Sequence, residues 1–156
     1  MRIYSLGALL VGGMAACIGN MTPVQRAQDA ANDFTTATRF GRMDVALERV
    51  SREERDKFLR RHAAWGTSVR IVDCDILGVR LTDKDHAEVM MSVSWHRVDE
   101  SEMRVTQIAQ HWQDRRGAWL LDSEERAGGD VGLLGEPTTA LHPSTRPVQF
   151  ETITIR

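Results

Sequence analysis

The stretch His86-Ala87-Glu88-Val89-Met90-Met91-Ser92-Val93-Ser94-Trp95-His96-Arg97 alternates with a period of two. Ala87, Val89, Met91, Val93 and Trp95 fall on one side, and Glu88, Ser92, Ser94 and His96 on the other. Successive side chains of a strand point to opposite faces, so the pattern predicts a half-buried strand of an antiparallel sheet. Upstream, Thr82-Asp83-Lys84-Asp85 is a turn, and Val69 to Leu81 reads as a strand with a bulge or bend at Gly78. Downstream, Asp99-Glu100-Ser101-Glu102 reverses the chain and Met103 to Gln113 gives a third strand. Asp114-Arg115-Arg116-Gly117 is a tight hairpin with Gly117 at its left-handed position, and Trp119 to Glu125 is the fourth strand.

Before the strands the period is helical. Thr22 followed by Pro23 is an N-cap followed by proline at the first helical position. Val24, Ala27, Ala31, Phe34 and Thr38 make one weakly apolar face, and Gly41 stops the helix. A short helix from Asp44 to Val50 follows, with Val45, Ala46 and Leu47 on its buried side. Ser51 and Glu54 have the spacing of a capping box opening a third helix. That helix is expected to run to Trp65, to bury Phe58, Leu59, His62 and Trp65, and to end at Gly66. Its charges interleave, with Glu53–Lys57 and Asp56–Arg60 at helical i,i+4 spacing, which describes a solvated face rather than a phosphate-binding patch. Helices first and an antiparallel meander second is an α+β pattern.

The whole chain of 156 residues has the length of one domain, and Lys+Arg 20 against Asp+Glu 22 leaves a formal charge of -2. That balance argues against nucleic acid, whose binders carry a basic excess on one face. Two cysteines are too few for a disulfide scaffold, and no spacing fits a metal module or calls for a cofactor.

Arg2 followed by an uncharged run from Ile3 to Ala16 has the form of a signal peptide, and the run is too short to span a bilayer. Met14-Ala15-Ala16-Cys17 resembles a bacterial lipobox, although Leu is usual where Met14 stands. The resemblance implies removal of residues 1–16, acylation of Cys17 and a tether over 17–21. The chain would then hold to a membrane of the cell envelope, with Ile18 favouring the periplasmic face of the outer one. The domain proper is expected over 22–126. Beyond it, 127–156 is a Gly- and Pro-rich tail in which only Val148 to Ile155 has strand character.

Ala30, Phe34, Ala37 and Gly41-Arg42-Met43-Asp44, together with His111-Trp112-Gln113 and Arg116-Gly117-Ala118-Trp119-Leu120-Leu121, resemble the nuclear-transport-factor-2-like superfamily in their order along the chain. The likeness covers about Thr22 to Arg126. It implies a cone-shaped fold, in which three helices pack on a strongly bent four-stranded meander that an extra C-terminal strand could join. That superfamily houses ketosteroid isomerase, scytalone dehydratase and polyketide cyclases, which place a base in an apolar cone beside a group that polarises a carbonyl. Tyr4 is the chain's one tyrosine and lies in the segment expected to be removed, which eliminates the tyrosine version of that chemistry.

A His–Asp version stays open, with His62, His96 and His111 as bases and Asp73 and Asp75 sharing one face of the first strand. Cys74 on the opposite face reads as a small buried hydrophobe. The favoured reading is non-catalytic: a membrane-held domain that takes a small apolar ligand or a protein partner, with His62, Trp65, Trp95, His111 and Trp112 lining the pocket. The alternatives are an isomerase, dehydratase or hydrolase using a His–Asp pair, and a structural dimerisation module. For the last, Glu88, Met90, Ser92 and Ser94 with Ile108 and Trp112 would form an outer sheet face covered by a second copy, or by residues from Val148 onward with Phe150 ordered.

Overall fold

The computed structural model describes residues 21–138. The signal segment 1–16, Cys17 with the tether to residue 20, and the tail with Phe150 and Val148–Ile155 lie outside the described residues. Three helices, α1 (Pro23–Arg39), α2 (Met43–Glu48) and α3 (Arg55–Arg61), precede four strands, β1 (Val69–Leu81), β2 (His86–Arg97), β3 (Arg104–Arg115) and β4 (Ala118–Gly129). The strands form one open antiparallel sheet in the order β1-β2-β3-β4. The fold is therefore α+β, as the change of period predicts.

Thr22 caps α1 reciprocally: its hydroxyl accepts from the Gln25 backbone N–H at 3.3 Å, and its own N–H donates to Gln25 Oε1 at 2.8 Å. Ala27, Ala30, Ala31, Phe34 and Thr38 bury one face of α1 against the sheet. The third helix departs from expectation. Glu54 is the residue before its first turn rather than inside it, and no side chain caps the helix. Ser51 and Glu54 instead close a backbone turn, Glu54 N–H to Ser51 C=O at 3.1 Å, so helix starts one turn late. The expected i,i+4 pairs are replaced by Lys57 Nζ to Glu54 at 3.0 Å and Arg115 to Glu53 at 3.1 Å. With only seven residues, α3 turns Phe58 inward, leaving Leu59 44% exposed. The chain still buries His62 and Trp65 after the helix ends.

In β2 the alternation holds throughout: Ala87, Val89, Met91, Val93 and Trp95 are all buried. Ile108 pairs with Met91 and Trp112 with Ala87, which places both on this inner face. Neither belongs to the outer face, so the expected exposed Trp and Ile that a second copy would cover do not exist. Phe34 sits edge-on to both Trp112 and Phe58 with centroids 5.6 Å apart, joining α1 and α3 to the sheet.

The central pair β2–β3 runs without interruption, whereas each outer strand slips register twice. On β1, Val72 and Leu77 are skipped, the second beside the expected bend at Gly78; on β4, Asp122 and Ala127 are skipped. The β3–β4 turn has two residues with positive φ, Arg116 at 60° and Gly117 at 90°, which matches the twist of the flanking strands. Strand β4 continues to Gly129, past the expected end at Glu125. After it, Leu133 and Leu134 return into the core, although this part of the sequence reads as tail.

Candidate functional site

The surface site lies where α1 gives way to α2. Phe40 follows the last turn of α1 and is 70% exposed, with the Arg39 guanidinium 5.8 Å from its ring centroid. On one side of Phe40, Asp33, Thr36 and Ala37 of α1 face Arg42, Val45, Glu48 and Arg49 across a groove of about 590 Å³. Arg49 holds Asp33 at 2.8 Å and so fixes the spacing of the two helices. On the other side, Thr38, Arg39 and Gly41 with Trp65, Gly66, Arg70 and Ile71 line a smaller depression of about 190 Å³. Gly41 at φ +69° ends the helix and lets the chain turn away, which leaves Phe40 standing between the two hollows.

A second constellation is internal. His62 is 4% exposed and Glu124 3% exposed, and His62 Nε2 lies 3.3 Å from Glu124 Oε1. His62 Nδ1 is 2.8 Å from the Phe58 carbonyl, one helical turn back. Its ring is sandwiched between Phe58 at 4.0 Å and Trp65 at 4.4 Å between centroids. Behind Glu124, the Gln110 side chain hydrogen-bonds the carboxyl group, and Trp112 Nε1–H donates to Gln110 Oε1 at 3.2 Å. Arg61 donates to the Glu124 backbone carbonyl, which ties α3 to β4.

Burial governs the protonation of both members. It lowers His62 to about 4, assisted by the nearby Arg61 charge and opposed by the Phe58 hydrogen bond. It raises Glu124 to about 7 against the pull of Arg61 and Gln110. Neither groove is lined by His62 or Glu124.

Of the five residues expected to share a pocket, the structure brings His62 and Trp65 into ring contact and places the others apart. Trp65 lines the smaller hollow and donates its indole N–H to the Leu133 carbonyl at 2.8 Å. Trp95 and Trp112 are sealed in the core, with Trp95 Nε1 donating to Thr106 Oγ1 at 2.9 Å. His62 is buried beside a carboxylate, but a glutamate rather than an aspartate. His111 points outward from β3, half-exposed, with Glu125 at 3.9 Å, so it shares nothing with His62. Asp73 and Asp75 occupy the outer face of β1, Asp73 held by Arg39 at 2.8 Å. Burial pushes the Cys74 thiol up to about 12, in keeping with an inert interior side chain.

Glu124 escapes a sequence reading because strict alternation from Trp119 and Leu121 would send it outward. Skipping Asp122 reverses the phase and turns Glu124 in toward His62. Among the described residues no group of three or more His, Cys, Asp or Glu side chains could hold a metal ion, and no helix is long and apolar enough to cross a membrane.

No protein family profile and no curated protein matches the chain. Its fold is similar to the solution structure of a SEC-C motif-containing protein from Rhodopseudomonas palustris, with a TM-score of 0.51 and 18% identity over 60% of this chain and 72% of that one. This likeness overturns the nuclear-transport-factor-2-like resemblance. The meander is an open four-stranded sheet whose inner face is filled by Phe34, Trp95, Ile108 and Trp112, not the lining of an apolar cone. The residues that carried the earlier resemblance are those of any alanine-rich amphipathic helix followed by a tryptophan-bearing hairpin.

Proposed function

We propose that the chain is an envelope lipoprotein, held to the membrane through acylated Cys17, whose α+β domain is a non-catalytic binding module without a cofactor. The ligand is a small apolar molecule taken up around Phe40. One observation carries this reading: the most exposed large hydrophobic side chain of the described residues stands between two hollows, while the acid–base pair is sealed away from both. A volume of about 590 Å³ falls within the range of small-molecule sites. The register slips in β1 and β4 support the bent form of the meander expected from the sequence.

An environment-sensitive naphthalene dye tests the site, read by its own fluorescence. Phe40→Ser is expected to weaken uptake ~10-fold, the equivalent of about 1.4 kcal/mol. The denaturation midpoint should stay nearly unchanged, because an exposed side chain contributes little to folding. Equal dye affinity in both proteins refutes the placement of the site. Intact-mass measurement of membrane-extracted protein tests the anchor, and a soluble chain retaining Met1 removes it.

The juxtaposition of His62 and Glu124 favours a second reading, an enzyme of the isomerase or hydrolase type using a His–carboxylate pair. Burial of both groups behind Phe58 and Trp65 weighs against it. A structural dimer through the outer sheet face loses its main support with Ile108 and Trp112 turned inward.

A further inference from the structure

The internal polar chain through Trp112, Gln110, Glu124, His62 and Phe58 has its hydrogen-bond directions fixed from both ends. An indole N–H can only donate, so the Gln110 oxygen faces Trp112 and its amide N–H faces Glu124. A backbone carbonyl can only accept, so His62 Nδ1 carries a proton toward Phe58. A neutral imidazole then presents a bare lone pair at Nε2. That lone pair confronts Glu124 Oε1 at 3.3 Å, an oxygen with no other hydrogen-bond partner. Two buried acceptors at this distance repel unless a proton lies between them.

We propose that His62 and Glu124 hold one proton between them, and that this pair shields the domain's stability from pH over the interval in which either group alone would titrate. The other charged groups acting on the pair are Glu54, just before α3, and Lys57 and Arg61 within it; β3 contributes the neutral Gln110. Between about pH 5 and 6.5 the unfolded chain keeps a proton on His62 and none on Glu124. The folded chain keeps one on Glu124 and none on His62. The pair's proton number does not change on unfolding, so it adds no slope to stability there.

Separating the partners exposes two opposed slopes. With Glu124→Gln the amide N–H supplies the missing donor at every pH, and the lowered His62 remains alone. Its stabilisation is present above the unfolded histidine value of 6.5 and is lost as pH falls toward 4. With His62→Leu the raised Glu124 remains alone. Its stabilisation is present below the unfolded value of 4.5 and is lost as pH rises through 7.

Urea unfolding of the full chain from pH 5 to pH 8 reads these slopes directly. Relative to the parent, the folding constant of Glu124→Gln should gain more than ~10-fold over that interval, and that of His62→Leu should lose more than ~10-fold. Parallel pH profiles in all three proteins overturn the proposal. Should His62→Leu not fold, nuclear magnetic resonance of the parent decides instead. A Glu124 carboxyl carbon titrating near neutrality, with His62 Nδ1 protonated throughout, supports the shared proton. Titration of Glu124 in the ordinary carboxylate range overturns it.

Discussion

Replacing Trp95 by alanine removes one of the largest fully buried side chains of the domain. Trp95 ends the buried row of β2, lies beneath the left-handed Gly132, and has the Arg104 guanidinium 5.3 Å from its ring centroid. Deleting a buried aromatic side chain costs about 3–5 kcal/mol, including the cavity left behind. The indole N–H also donates to Thr106 Oγ1 at 2.9 Å, and that hydroxyl is committed as donor to the Asp130 carbonyl at 2.8 Å. Losing one neutral hydrogen bond adds about 1 kcal/mol. Trp95→Ala is therefore expected near the upper end, at about 5 kcal/mol, comparable with the entire stability of many small domains. Trp95→Phe keeps most of the ring and should cost about 1–2 kcal/mol, chiefly through the lost N–H. Urea unfolding followed by far-ultraviolet circular dichroism measures both. An unchanged midpoint for Trp95→Ala, or equal losses for the two variants, would mean that the row does not face a packed interior.

Gly129→Ala should destabilise by several kcal/mol or prevent folding, because a methyl group there would overlap the Val105 carbonyl at a φ of +76°; thermal unfolding checks it. Trp65→Phe deletes the 2.8 Å bond to Leu133 and leaves that buried carbonyl without its partner, so it should cost about 1–3 kcal/mol. Amide exchange over residues 130–136 should rise with it, and unchanged protection would count against Trp65 as the tie of that loop. Cys74 should resist alkylation in the folded chain and react fully in urea, since its thiol ionises only at about 12; rapid native labelling followed by mass spectrometry would contradict its burial.

Elements with a strong local period were readable from the residues alone. Strands β1 and β2 have the bounds their sequence predicts, and Thr22-Pro23 opens α1 as its chemistry requires. The errors share a cause, which is phase. Ile108 and Trp112 read as outward when β3 is taken by itself, because its sequence lacks a clean alternation. Pairing with Met91 and Ala87 decides their face. Glu124 is turned inward by a slip at Asp122 that no local residue announces. Leu133 and Leu134 sit among glycines and read as tail, yet the Glu136 carboxylate accepts the N–H groups of Gly132 and Leu134 and folds that segment back. Ser51 with Glu54 shows the converse: a capping signature is present, but tertiary burial of Ser51 takes its place in the structure. The surface site was least legible, because nothing in sequence distinguishes Phe40 from a core residue at the end of α1.

The slips in β1 and β4 also govern what the sheet can accept from outside. Among the described residues the four-stranded sheet has two outer edges, where any unpaired N–H and C=O groups could accept another chain; on β4, Leu121 is already taken, its N–H by the Arg49 carbonyl at 2.7 Å and its carbonyl by the Ser51 N–H at 2.9 Å. Here Val72 and Leu77 break one row, and Asp122 and Ala127 break the other, at five-residue intervals. No uninterrupted run on either edge exceeds four residues, as at Asp73–Ile76 or Ser123–Arg126. An incoming strand that followed one run would fall out of step at the next. Among the described residues these interruptions oppose polymerisation edge to edge, without a proline or a lysine at the skipped positions, even though Leu77 is exposed and apolar. The skip at Asp122 that brings Glu124 to His62 is one of these interruptions, so the interior proton pair and the broken β4 edge arise from the same displaced residue.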